Sequence, residues 1–137
     1  MAPIKVLVVD DHELARRGIR AVLSNDASLD VVGEAADGEQ AIKGAAEFHP
    51  TIVLLDITLP GMSGIEAARR IRVVSPESRI IFVSQHDSIQ IARDALSVGA
   101  RGFVVKSDAG LDLLDAIQTV HQGRQFISRT LISQGWS

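Results

Sequence analysis

The feature that most restricts this sequence is a repeated alternation between two hydrophobic periods. Short runs rich in β-branched residues, Ile4 to Val9, Val31 to Val32, Thr51 to Leu55, Ile80 to Val83 and Phe103 to Val105, recur about every 20 to 30 residues. Val6-Leu7-Val8-Val9 and Ile52-Val53-Leu54-Leu55 are apolar at successive positions, as a parallel strand covered on both faces requires. The run at Val31 is the weakest and is expected at the sheet edge. Between the runs the period lengthens toward about 3.6. Apolar residues fall at Leu14, Ile19, Val22 and Leu23, at Ile42, Ala45 and Ala46, and at Ile65, Ala68 and Ile71. The pattern continues with Ile89, Ala92 and Leu96, then Leu113, Leu114, Ile117 and Val120. Capping-box spacings from Asp37 to Gln40, Ser63 to Glu66 and Asp87 to Gln90 mark helix starts. Crossovers of this length imply right-handed βαβ units, so the chain reads as a doubly wound α/β fold, a five-stranded parallel sheet between layers of five helices.

A chain of 137 residues, 46% of them hydrophobic, has room for one such domain and a short appendage. The domain is expected over residues 1–123. The remainder, Arg124 to Ser137, carries Phe126, Ile127, Leu131, Ile132 and Trp136 but is expected to find no strand partner, and it reads as a linker or packed tail. A net charge of −3 offers no basic field for a phosphate backbone, so direct nucleic-acid binding by this chain is disfavoured. The absence of Cys removes disulfides and thiolate metal sites. MAPIKVLVVDD lacks the pattern of a signal peptide, and no apolar stretch approaches the roughly 20 residues of a membrane span. A cytoplasmic location is the expectation.

Ligands of open α/β sheets bind outside the carboxyl ends of the strands. The residues standing there are Asp10 and Asp11 after the first run, Asp56 after the third, Ser84 after the fourth and Lys106 after the fifth. Taken singly, each has a plain structural use: the acids as helix caps, Ser84 as a strand end, Lys106 as a surface residue. Taken together, the doubly wound topology brings the ends of the first and third strands side by side, and three carboxylates crowd one crevice. Like charges so placed raise one another's pKa unless a cation intervenes. Mg²⁺ suits the site because it binds a few carboxylate oxygens, keeps several waters and shares its remaining positions with a phosphoryl group. Zinc suits it less, since His12 and His86 come with neither thiolates nor an HExxH spacing. The Lys106 ammonium can neutralise a carboxylate or hold a phosphate oxygen there.

The stretches VLVVDDHELARRGI, GEAADGEQAI, IVLLDITLPGMSGIEAARRIR, IIFVSQHD and ALSVGARGFVVKS resemble the receiver domains of two-component response regulators, CheY-like in fold, over about residues 4–123. The ordered set of an acidic pair, Asp56 followed by LPGMSG, Ser84 and Lys106 carries the likeness. The resemblance implies a flavodoxin-like sheet order of 2-1-3-4-5, with Asp56 as phosphoacceptor for a sensor histidine kinase. It implies Mg²⁺, with Mn²⁺ as a substitute, held by Asp10, Asp11, Asp56 and the backbone carbonyl of Thr58. Ser84 and Lys106 would contact the phosphoryl oxygens, Ser84 and Phe103 would act as the switch, and Thr58 and His86 would tune phosphoryl lifetime. Such a domain is a signalling phosphoacceptor rather than an enzyme, and phosphorylation would promote a homodimer. GEAADGEQAI, SQHD and GARGFVVKS look most like the LuxR/NarL subgroup of transcriptional regulators, in which a helix-turn-helix DNA-binding domain, absent here, follows the receiver. Ser107 stands where many receivers have Pro and a cis peptide. Phe103 stands where Tyr is common, without its hydroxyl.

Three other readings share parts of this pattern. A Mg-dependent phosphatase or phosphotransferase would carry a DxDxT/V loop after the first strand, where DDHEL stands. A flavodoxin-like FMN binder would need hydroxyls and N–H groups where Asp10 and Asp11 repel a phosphate. A non-phosphorylated receiver-like dimerisation module would not require the intact set Asp10, Asp11, Asp56, Ser84 and Lys106.

Overall fold

The computed structural model describes residues 2–137. The elements follow in the order β1 (Ile4–Val9), α1 (Glu13–Leu23), β2 (Leu29–Ala35), α2 (Gly38–Phe48), β3 (Ile52–Leu55), α3 (Gly64–Val74), β4 (Arg79–Ser84), α4 (Ile89–Leu96), β5 (Gly102–Val105), α5 (Ala109–His121), β6 (Phe126–Ile127) and α6 (Arg129–Ser133). All neighbouring strands are parallel, in the order β2-β1-β3-β4-β5-β6. The weak Val31 run forms the edge strand β2, as its composition predicts.

Strand pleating divides the core by residue parity. Leu7, Val9, Val53, Leu55, Ile80, Phe82, Phe103 and Val105 face one layer, where Ala41, Ala45, Ala67, Ala68, Ile71, Ala92 and Ala95 bring in α2, α3 and α4. Val6, Val8, Ile52, Leu54, Ile81, Val83 and Val104 face the other, covered by Ile19 and Leu23 of α1 and by Leu113, Ile117 and Val120 of α5. Both faces of the central strands are therefore dry, which explains their unbroken apolar runs.

Three local expectations change. Leu14 is 78% exposed rather than part of the apolar face of α1. It lies five residues before Ile19, about 140° around the helix from it, and so points away from the sheet. Helix α4 starts one residue later than the Asp87 to Gln90 spacing implies, because Ser88 caps it by accepting from the Ile91 N–H at 3.3 Å. The tail also finds a strand partner. Phe126 N–H donates to the Arg101 carbonyl at 3.0 Å and Ser128 N–H to that of Phe103 at 2.9 Å, which adds β6 to the free edge of β5. A two-residue strand is too short for alternation to show in sequence. It forms because β5 offers unpaired carbonyls while Ile127 and Leu131 enter one core layer and Phe126 the other.

Candidate functional site

Parallel register brings the strand ends to a common rim. Val9 pairs with Leu55, Leu55 with Phe82 and Ser84 with Val105, so the residues after β1, β3, β4 and β5 emerge together. The Asp56 N–H continues the ladder to the Val9 carbonyl at 3.0 Å, and the Asp10 N–H does the same to Ala35 at 3.0 Å. Asp10 is 1% exposed and Asp56 is 5% exposed. Lys106 crosses to both: its Nζ donates to Asp56 Oδ2 at 3.0 Å and lies 2.7 Å from Asp10 Oδ2. The Lys106 ammonium is thus the partner of the buried Asp10 Oδ2 as well as of Asp56.

The rest of the rim holds the acids in place. Arg16 Nη1 donates to the Asp10 carbonyl at 2.7 Å, the His12 N–H to Asp10 Oδ1 at 2.9 Å and the Thr58 N–H to Asp56 Oδ1 at 3.3 Å. Ligand atoms of Asp10, Asp11 and His12 lie within 4.8 Å of one another. Asp11, His12, Asp56, Thr58, Gln85 and His86 line one cavity of about 270 Å³. Within it Thr58 Oγ1 meets His86 Nε2 at 3.2 Å. Ser84 is fully buried, and its Oγ accepts the His86 N–H at 3.0 Å. Phe103 is also fully buried, its ring centroid 6.5 Å from that of Phe82, so an inward ring position is already taken. Among the described residues no peptide bond is cis, and Lys106–Asp108 forms a 3₁₀ turn.

Burial pushes the Asp56 carboxyl above its ordinary value; Asp10 adds to this, while Lys106 and the Thr58 N–H oppose it without cancelling it. Burial alone would lower Lys106, but hydrogen bonds and charge from Asp10 and Asp56 hold its ammonium above the ordinary lysine value. Two buried carboxylates thus share one cation. Carboxylate oxygens of Asp10 and Asp11 cluster with His12 Nδ1, and Asp56 lines the cavity that Asp11 and His12 share; hard oxygen donors beside an open cavity suit a hard divalent ion. His12 Nδ1 is engaged between the carboxylates, 3.1 Å from Asp11 and 3.4 Å from Asp10.

One residue with a large role escapes a reading by chemistry because it has no side chain. A Cβ on Gly64 would lie 1.9 Å from the Asp56 carbonyl oxygen and 2.8 Å from Ile57 Cα, so the start of α3 presses directly on the Asp56 backbone. The signal was present as the last residue of LPGMSG.

A parallel sheet of this order, with paired acids opposite a strand-end lysine, defines the class of CheY-like signalling domains. Residues 6–118 match the family described as response regulator receiver domain, and the chain belongs to that family. Members act as signalling phosphoacceptors, and partners of such domains include histidine kinases. Over 131 residues the chain is 37% identical to the response regulator GacA of Pseudomonas syringae pv. syringae, covering 96% of this chain and 61% of that protein. It therefore spans about three fifths of that relative's length. It is also similar to the crystal structure of a LuxR-family two-component response regulator from Aurantimonas sp. SI85-9A1, with a TM-score of 0.91 and 36% identity over 96% of this chain and 94% of that one. The CheX-CheY-BeF3-Mg+2 complex from Borrelia burgdorferi matches with a TM-score of 0.81 and 30% identity, covering 87% and 90% of the two chains. No helix among the described residues is long and apolar enough to cross a membrane.

Proposed function

We propose that this chain is the receiver of a LuxR/NarL-type transcriptional regulator, switched by transfer of a phosphoryl group from a sensor histidine kinase to Asp56. The observation that carries this reading is the Lys106 amine held against Asp56, an acid that also lines a cavity with Asp11 and His12. Asp10, Asp11, Asp56 and the Thr58 carbonyl would hold Mg²⁺, which when bound neutralises charge on the phosphoryl oxygens. An Asp56 oxygen attacks phosphorus in line, the bond to the donor imidazole nitrogen breaks, and an acyl phosphate remains on Asp56. Lys106 stabilises the charge that builds on the transferring oxygens. Thr58 and His86, bonded to each other beside Asp56, are placed to set water access and hence the lifetime of the product.

The added charge of about −1.5 to −2 gives the Ser84 hydroxyl a stronger partner than the His86 N–H that it now accepts. With Phe103 already inward, the remaining movement falls to Ser84 and the loop leading to α4, and Phe103 serves by holding the inward state. A shift from 1:99 to 99:1 needs about 5.5 kcal/mol. Two or three charge-assisted hydrogen bonds at about 1.5 to 3 kcal/mol each are enough. The receiver proper spans residues 1–123, and residues 124–137 lead toward a helix-turn-helix domain through which DNA is bound. Homodimerisation follows phosphorylation, and the setting is the cytoplasm, where the kinase phosphohistidine is met.

The test is incubation with acetyl phosphate and Mg²⁺, followed by intact mass and peptide mapping. One phosphoryl equivalent on Asp56 is expected, and chelation of the metal should remove it. Repeated turnover of a phosphate ester would instead favour a phosphatase. Lys106→Ala should slow labelling without abolishing it, and should lose most of the conformational response read by Trp136 emission. Labelling and response equal to wild type would remove Lys106 from the mechanism.

A further inference from the structure

Residues on both sides of Lys106 are tied to a single side chain from the far end of the chain. Ser128, fully buried, accepts the Val105 N–H at 3.2 Å and donates its own hydroxyl proton to Asp108 Oδ2. Val105 immediately precedes Lys106, and Asp108 follows it by two residues. Neither side chain serves its own helix. Asp108 stands at the start of α5 and Ser128 at the start of α6, yet neither side chain makes a cap hydrogen bond to that helix. The side chains that would ordinarily cap two helices are spent on joining them.

The rest of the junction is built to the same end. Asp108 also accepts the Thr130 N–H at 3.0 Å and the Thr130 hydroxyl at 2.8 Å. Burial works against its charge, but the Ser128 and Thr130 hydrogen bonds, with Arg129 nearby, hold it below the ordinary carboxylate value. Asp112 takes the Arg129 N–H at 3.0 Å and Nε at 2.8 Å. The segment continues to Trp136, over whose ring Arg93 of α4 sits at 5.4 Å.

We propose that Ser128, with Asp108 as its acceptor, is a positioning residue for Lys106. Its hydroxyl sets where the strand ends and the 3₁₀ turn begins, and thereby how far the amine reaches toward Asp56. It also makes the C-terminal segment part of the rim, so that a change at Lys106 is felt at residues 126–136 and the converse holds by reciprocity. The part concerning phosphoryl transfer rests on the function proposed above; the part concerning the amine does not.

The test uses the whole chain at constant pH, without added divalent cation. Lysines are acylated with the sulfosuccinimidyl ester of acetic acid, and each site is followed by peptide mass, with Lys5 and Lys43 as internal standards. Ser128→Ala and Asp108→Asn should raise Lys106 labelling relative to those standards about fivefold, the equivalent of one lost hydrogen bond. Ser128→Thr, which keeps the hydroxyl, should stay near wild type. With acetyl phosphate and Mg²⁺, Ser128→Ala should lower the maximal rate of Asp56 labelling and leave its Mg²⁺ dependence unchanged. A lower melting temperature with unchanged relative labelling of Lys106 in both variants would overturn the proposal, leaving Ser128 a purely structural residue. Should Ser128→Ala fail to fold, Asp108→Asn decides by the same ratio. Should the wild type take no phosphoryl group, the function fails while the amine ratio still decides the role of Ser128.

Discussion

Asp56→Asn is expected to take up no phosphoryl group from acetyl phosphate and Mg²⁺ while gaining stability. An amide cannot form the acyl phosphate, so the mass of the variant stays fixed under conditions that label the wild type. The gain in stability follows from the electrostatics of the rim. Asp10 and Asp56 are both buried and share Lys106, and removing one acid leaves an evenly matched pair. The sign can be checked by pH. The folded-state pKa of Asp56 is raised, so its contribution is favourable below the unfolded value of about 3.9 and is lost as pH rises through the folded value. The advantage of the variant should therefore appear at neutral pH and fade as pH falls toward about 4. Melting curves of the two proteins across that range provide the measurement. A variant that is still labelled at another residue, or that is less stable at neutral pH, would contradict the account of this site.

Gly64→Ala carries the largest expected structural penalty. The new methyl would overlap the Asp56 carbonyl oxygen, and the obstacle is backbone rather than the yielding end of a side chain. Helix α3 cannot retreat freely, because Gly64 N–H is bonded to the Ile57 carbonyl at 2.6 Å and Ala67, Ala68 and Ile71 are wholly buried. Overpacking of this kind costs about 1 to 3 kcal/mol, and here the upper end is expected. For a domain of this size that lowers the melting temperature by on the order of 10 °C. Because the displaced atoms belong to Asp56, phosphorylation should slow more than stability alone explains. A variant that melts and is labelled like the wild type would show that the loop after β3 yields, and that Gly64 does not brace the acceptor.

Much of this was legible in the sequence. Unbroken apolar runs such as Ile52–Leu55 announce strands dry on both faces, and the residue that ends each run faces the ligand edge by the geometry of parallel sheets. Counting alone therefore assigns Asp10, Asp11, Asp56, Ser84 and Lys106 to one rim. Gly64 was visible only as a letter in LPGMSG, since a missing Cβ matters through what it would touch. Ser128 and Asp108 lie twenty positions apart, and nothing local marks either as more than an ordinary cap.

Order along the chain, hydrophobic period and the chemistry at each strand end are properties of neighbours, and these the amino-acid sequence determined by itself. Tertiary structure alone decided which groups share a proton, a charge or a space. It set Lys106 between two acids, turned Phe103 inward, made a strand of Phe126–Ile127 and gave the Ser128 hydroxyl to the turn after β5. The physical reason is range: hydrophobic period is written between residues a few positions apart, whereas burial and ion pairing depend on distances that exist only once the sheet has closed.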